Sequence, residues 1–460
     1  MENNSRLYPL TIAQKNQLYF YNRYSQTNLF NQGMSLSFDC NANEEVLRES
    51  ILEAIARCES MRIRFSRTAD GEVMQYINNE EAPEIEAVDF SMLADFEAEN
   101  KMKEWTAEPF TVFEKPVNRV VIVRLAENVK AVFLLYHLMA LDRQAASLFL
   151  SDVAKIYSSK AYGTEYPHIT ASYLSAVEKD IQYQTSTAYE EDKSYWYDFM
   201  AKSEAYYADI RGPKALSLER RYRNYPFLRA CVNTAKSPET LTARFHLEKE
   251  PTQRIINFCE HHKISVDAFL KMGLRTYISK MNYNQSDISI INSIPRRDTD
   301  EDLLSGGQRT HYFPCRSVIN SEEIFIDAVK KVEKNHRDNL EHADFDTMEF
   351  WQMRAEHYHN STSQAYECMT FAYQPTGLRG EFPSRLRCRL NTYSSGVALA
   401  SLRLDVTHRI EDNGLDFDFT YQKNRLEPQD INSIYYYLCK ILFASIENCY
   451  ATIGEIISRV

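Results

Sequence analysis

Two apolar runs, VNRVVIVRL and VKAVFLLYH, are separated only by Ala126, Glu127 and Asn128. The first is rich in β-branched residues and the second combines them with aromatics, and so short a link between two such runs specifies a β-hairpin. The pattern then changes period. After Asp142, the residues Phe149, Val153 and Ile156 mark one face of a helix. A hairpin feeding straight into a helix commits this part of the chain to a mixed α/β architecture, and the remaining segments must cover its faces.

The rest of the chain agrees. NEEVLRESILEAIARC carries Val46, Leu47, Ile51, Leu52 and Ile55 at helical spacing, with Asn43 placed to cap the helix, and MRIRF after it alternates as a strand. The polar stretch from Ala171 to Met200 reads as helical and suits a connection between two lobes. The theme then returns. RFHLEK, DISIINSIP and RTHYFPCRSVI read as strands, PTQRIINFCEHH and SVDAFLKMGLRTYISKM as helices. ALASLRLDVTHRIEDNGLDFDFTYQ reads as a hairpin turning at Asp412, Asn413 and Gly414, and Pro428 to Cys449 as a closing helix with Ile431, Ile434, Leu438, Ile441 and Ile446 inward. The reading is two α/β sandwiches of similar design, without a literal repeat.

Length and composition exclude several function classes. At 460 residues the chain is too long for one core, and two or three lobes are expected. Only 12 glycines occur, and neither a dinucleotide fingerprint nor a P-loop is present. Nine scattered cysteines without a C-x-x-C point to a reducing compartment rather than a disulfide framework or a zinc site. No apolar run approaches a membrane span and no secretory core opens the chain, so a cytoplasmic protein without membrane contact is expected. A net charge of −11 disfavours nucleic acid as a partner.

His137 ends the second strand of the hairpin, and Asp142 follows just before the helix. A strand end holds a histidine still while the loop beside it admits substrate, and imidazole titrates near neutrality. Spacing alone does not single out this pair, because HHKISVD, His261 to Asp267, repeats it at His262 and Asp267. Those histidines end a helical pattern, where a positive charge is mildly favoured. The histidines of His357-Tyr358-His359 lack a third metal ligand nearby and read as loop. Tyr435-Tyr436-Tyr437 reads as packing and surface of a helix, and DTDEDLL as a solvated loop.

Seven segments, in order, resemble the motifs of condensation domains from non-ribosomal peptide synthetases, within the chloramphenicol-acetyltransferase-like superfamily. YPLTIAQKNQLYF resembles the opening S/T-x-A/M-Q motif. RCESMRIRF resembles R-H-E-x-L-R-T-x-F, with Cys58 for the histidine. PFTVFEKPVNRVVIV resembles P-F-D-L-x-x-G-P-L-x-R, and YHLMALD stands at H-H-x-x-x-D-G. SYWYDFM resembles a Y-W pair after the first lobe. DISIINSIPRR and GGQRTHYFPCR resemble D-I-x-x-G-x-P-x-x-G-R and G-x-F-V-N-T-x-x-x-R. Departures lie where chemistry belongs. Tyr136 replaces the first histidine, His137 keeps the second, and Arg143 stands for glycine if a one-residue bulge puts Asp142 on the aspartate position. Without that bulge Leu141 holds it. Ile291 and Ser293 replace a glycine and a proline of the later motif.

The resemblance implies two chloramphenicol-acetyltransferase-like lobes in a V-shaped pseudo-dimer, residues 1–180 with the histidine motif and residues 181–460 with floor and latch segments. It implies His137 as the base at the midpoint of a tunnel, Asp142 paired with Arg62 to hold the loop, and Tyr136 packed behind. Segments Ser293–Arg297 and Gln374–Arg385 are expected to cross toward the first lobe, and Arg143 either narrows the tunnel or pairs outward. The implied reaction is that of a free-standing acyltransferase. It moves an acyl or aminoacyl group from a phosphopantetheine thioester, on a carrier protein or coenzyme A supplied in trans, to an amine. A monomer with no metal and no bound cofactor is expected. An O-acyltransferase using acyl-coenzyme A, an epimerisation-type domain, since GQRTHYFP resembles G-W-F-T-x-x-Y-P, and a catalytically degenerate carrier-docking module are the alternatives.

Overall fold

The computed structural model describes residues 6–24, 28–80, 83–167, 171–232, 238–297, 299–374, 386–409 and 412–460. Two large sheets organise it. The hairpin forms as expected, from strands Asn118–Ala126 and Val129–His137. They sit inside a five-stranded sheet, between Glu86–Asp89 on one side and Asn31–Asp39 on the other. Strand Val129–His137 is buried on both faces, so it reads as a continuous apolar run. One face, through Val132, Leu134 and Tyr136, packs on helices Glu44–Arg57 and Arg143–Tyr162. The other, through Ala131, Phe133 and Leu135, joins Met102 of helix Asp95–Thr106. Asn43 caps the first of these helices by accepting the Val46 N–H.

The second lobe is built on a six-stranded mixed sheet. Its strand order is His311–Val318, Asp287–Ile294, Thr370–Gln374, Leu402–His408, Leu415–Gln422 and Thr240–Leu247. Helices Val266–Met281 and Pro428–Glu447 cover it, with Ile431, Ile434, Leu438 and Ile441 inward. Between the lobes run helices Tyr173–Tyr183 and Thr187–Ala201. Trp196 of the latter stacks on Phe313 at 4.2 Å. His357 closes helix Thr347–His357 rather than lying in a loop, and the acidic DTDEDLL segment includes a short helix, Asp300–Leu303.

The lobes interleave. Strand Cys388–Ser394 leaves the second half of the chain and pairs antiparallel with Asn31–Asp39, at the edge of the first-lobe sheet. Of the expected crossing segment Gln374–Arg385, all but Gln374 lies outside the described residues. Among the described residues, no helix is long and apolar enough to cross a membrane.

Candidate active site

A cavity of about 1630 Å³ opens between the lobes. The first lobe contributes Tyr136, Leu138, Asp142 and Arg143 to its lining, and the second contributes strand residues such as Ser293, Tyr312, Thr370 and Asp405.

His137 does not line it. The imidazole is 2% exposed and sits among the rings of Phe30, Tyr21 and Phe110, at 5.5, 5.7 and 6.1 Å. Its Nδ1 accepts the Met139 N–H at 3.1 Å, which leaves the ring proton on Nε2. Burial pushes its pKa down to about 3, so the ring stays neutral through the physiological range. The expectation of His137 as a base in the tunnel is thereby corrected. His137 organises the turn that follows the strand. The reason is parity: neighbours along an extended chain point to opposite sides, and Tyr136 and Leu138 took the cavity side.

Counting back from Asp142 and Arg143 explains the shift. HLMALDR matches H-H-x-x-x-D-G residue for residue with no bulge, His137 on the first histidine and Leu138 on the second. The residue on the cavity wall is a half-buried leucine. Tyr136, expected behind the site, instead lines the cavity, as a buried phenol whose pKa burial raises, so it stays un-ionised.

Asp142 holds the aspartate position, and its partner is Arg297, not Arg62. Arg297 clamps it with Nη1 at 2.8 Å and Nη2 at 3.0 Å, the two side chains 0% and 4% exposed. Asp142 also caps helix Arg143–Tyr162 through Ala145 N at 2.9 Å, and accepts Arg309 N and the Thr310 hydroxyl, both at 3.1 Å. Arg62 turns away to the Asn79 carbonyl and, at 3.2 Å, to Ala56 O. It ends the short 3₁₀ turn Glu59–Arg62 that leads into strand Ile63–Arg67, and its guanidinium is taken up by partners of that neighbourhood. The segment Ser293–Arg297 thus does reach the first lobe. Arg296, in the second glycine position of its motif, keeps a left-handed φ of +52° and pairs with Asp180 and Asp344.

Two participants, Gln14 and Arg297, escaped sequence reasoning, and so did the partners of Arg143. Gln14, quoted only as a motif letter, is fully buried. Its Nε2 donates to Gln75 Oε1 at 2.8 Å and to Met139 O at 3.3 Å, propping the loop that carries Leu138. Arg297 ended a quoted motif, and that motif arginine was the signal available. Arg143 reaches across the cavity to 3.4 Å from both Asp405 and Asp418, a pairing that no local pattern carries. Among the described residues, no cluster of three or more His, Cys, Asp or Glu side chains is placed to hold a metal.

Two chloramphenicol-acetyltransferase-like lobes around a shared cavity, with an aspartate-capped helix pointing into it, define the class. The chain belongs to the condensation-domain family, whose profile matches residues 4–458. It is similar to surfactin synthase subunit 1 of Bacillus subtilis (strain 168), 22% identical over 452 residues, which cover 96% of this chain and 12% of that protein. Surfactin synthase subunit 2 of the same strain is 24% identical over 419 residues, 90% of this chain and 11% of that protein. The chain thus spans less than a fifth of the length of these relatives. Among solved structures, the first condensation domain of the calcium-dependent antibiotic synthetase, in complex with a substrate analogue, has a TM-score of 0.81 at 17% identity. That match covers 98% of this chain and 99% of the other. A mutant starter condensation domain of rhizomide synthetase in complex with C8-CoA and Leu-SNAC has a TM-score of 0.79 at 16% identity, covering 97% and 96%.

Proposed function

We propose that this chain is a condensation-fold module that holds a pantetheine-linked acyl or aminoacyl group, delivered on a carrier protein or coenzyme A, without a histidine to deprotonate an acceptor. One observation carries the reading: Leu138 stands on the cavity wall where the family motif has its second histidine. An isobutyl group neither takes a proton nor donates a hydrogen bond, and a general base typically contributes about 10²–10⁴-fold. The apparatus that positions that residue is intact, namely the Gln14 prop and the Asp142–Arg297 clamp. A cavity with its support kept and its base absent fits binding and presentation better than turnover. The second reading is amide formation by positioning alone, which the intact clamp favours.

Octanoyl-pantetheine supplied with an amine or an alcohol acceptor separates the two. The expected result is measurable binding by calorimetry, transfer at the uncatalysed rate, and a rise of about 10²-fold for amine transfer in Leu138→His. Wild-type transfer well above background, unchanged by Leu138→His, would establish positioning alone. Absence of thioester binding would remove both readings.

A further inference from the structure

One wall of the cavity carries more positive charge than its own ion pairs neutralise. Asp405 and Asp418 stand directly opposite each other on strands Leu402–His408 and Leu415–Gln422. Two carboxylates in that register repel. Three guanidiniums answer them. Arg403 grips Asp405 through Nε and Nη2, both at 2.8 Å. Arg244, opposite Asp418 on the next strand, donates to it through Nε and, at 3.0 Å, through Nη2, with Nη2 also 2.9 Å from Thr392 Oγ1. Arg143 completes the group from the first lobe, 3.4 Å from each carboxylate.

All five side chains line the cavity. Three cations against two anions leave one positive charge, and the positive end of helix Arg143–Tyr162 faces the same space. Arg297 adds nothing to this surplus, because Asp142 matches it. A tie between the lobes needs only Arg143 and the two aspartates. Arg403 is not required for it, and its side chain stays 28% exposed. The other acidic lining residues, Asp39, Asp95 and Glu99, belong to strand Asn31–Asp39 and helix Asp95–Thr106, with Lys103, Arg387 and Arg389 lining the cavity too.

We infer that this wall takes the free carboxylate of an untethered amino acid or peptide, seated on Arg403 and Arg143. A guanidinium fork matches a planar carboxylate in shape and charge, and the exchange of water for such a pair is most favourable where other dipoles already point the same way. A carrier-bound acceptor offers no such group, because its carboxyl carbon is spent in the thioester. A pantetheine phosphate lies at the far end of its arm from the thioester, whereas Arg143 directly follows Asp142 of the motif. The inference rests on the cavity being a ligand site, as proposed above.

The probes are N-acetyl derivatives of the common amino acids, each paired with its amide, titrated calorimetrically into the whole chain. At least one acid should bind about tenfold or more tightly than its amide, and Arg403→Gln should erase that preference. Arg403→Lys keeps the charge without the fork and should retain only part of it, which guards against a folding defect in Arg403→Gln. Equal affinity within every pair, or a preference that survives both substitutions, overturns the inference. So does tighter binding of phosphopantetheine than of pantetheine through Arg403 with no acid bound, since that makes the wall a phosphate site. Octanoyl-pantetheine binding by the unaltered chain is measured alongside. Its failure with acids still bound removes the thioester reading and leaves the carboxylate site standing.

Discussion

Asp142→Ala takes away a carboxylate on which five donors converge: Arg297 Nη1 and Nη2, Ala145 N, Arg309 N and the Thr310 hydroxyl. Breaking a buried ion pair by removing one partner costs about 3–5 kcal/mol, because the other charge stays buried. Losing the helix cap adds about 0.5–2 kcal/mol. The expected cost is about 4–6 kcal/mol, a large part of the roughly 5–15 kcal/mol that holds a typical domain folded. Arg297→Ala should cost less, near the lower end of about 3–5 kcal/mol, since Asp142 then keeps three donors outside the pair. In the double variant nothing charged is stranded, so its cost should fall short of the sum by about 2–3 kcal/mol. Urea unfolding followed by both tryptophan fluorescence and circular dichroism measures the cycle, and coincident transitions license the comparison. Asp142→Ala with Arg62→Ala should be additive, because the two side chains share no partner. Additivity within about 0.5 kcal/mol for Asp142 and Arg297 would refute the clamp.

Stability should also fall on acidification. His137 is held neutral with a pKa of about 3 against an ordinary 6.5, so the unfolded chain binds more protons below pH 6.5 and gains by up to about 1.4 kcal/mol per pH unit down to about pH 3. His137→Phe should flatten that limb between pH 7 and 5 while costing about 1–3 kcal/mol at every pH for the orphaned Met139 N–H. An unchanged acid limb in urea midpoints would contradict it, given that the shifted His336 and His408 remain in both proteins. Gly307→Ala should sharply reduce soluble yield. Gly307 has a φ of +89°, and an added Cβ would clash with the Tyr173 ring, while its carbonyl must stay in place to accept Arg297 Nη2 at 3.1 Å. Wild-type yield and melting temperature would show that this turn is more compliant than its packing implies.

The elements of this fold were legible because their signals are local. The apolar runs at Asn118–Ala126 and Val129–His137, the cap at Asn43 and the apolar stripe of Pro428–Glu447 depend on residues a few places apart, which the sequence displays directly. The motif order likewise sufficed to name the family, and it brought Asp142 and Arg143 to the cavity, while Tyr136, expected behind the site, lines the cavity wall. What it misjudged was a single step of register. In an extended chain one residue separates the cavity side from the core side, so reading the signature one place early exchanged the roles of His137 and Leu138. The partners of the site were beyond local reading altogether. Asp142 and Arg297 are 155 positions apart, and Arg143 and Asp418 are 275 apart. Arg62 lies closer in sequence, and only the packing of the second lobe against the first decides that Arg297 reaches Asp142 while Arg62 turns outward. The same packing brings strand Cys388–Ser394 to the first-lobe sheet and gathers three arginines around two aspartates, because a cavity between lobes is lined by whichever residues meet there and not by those that are neighbours in the chain.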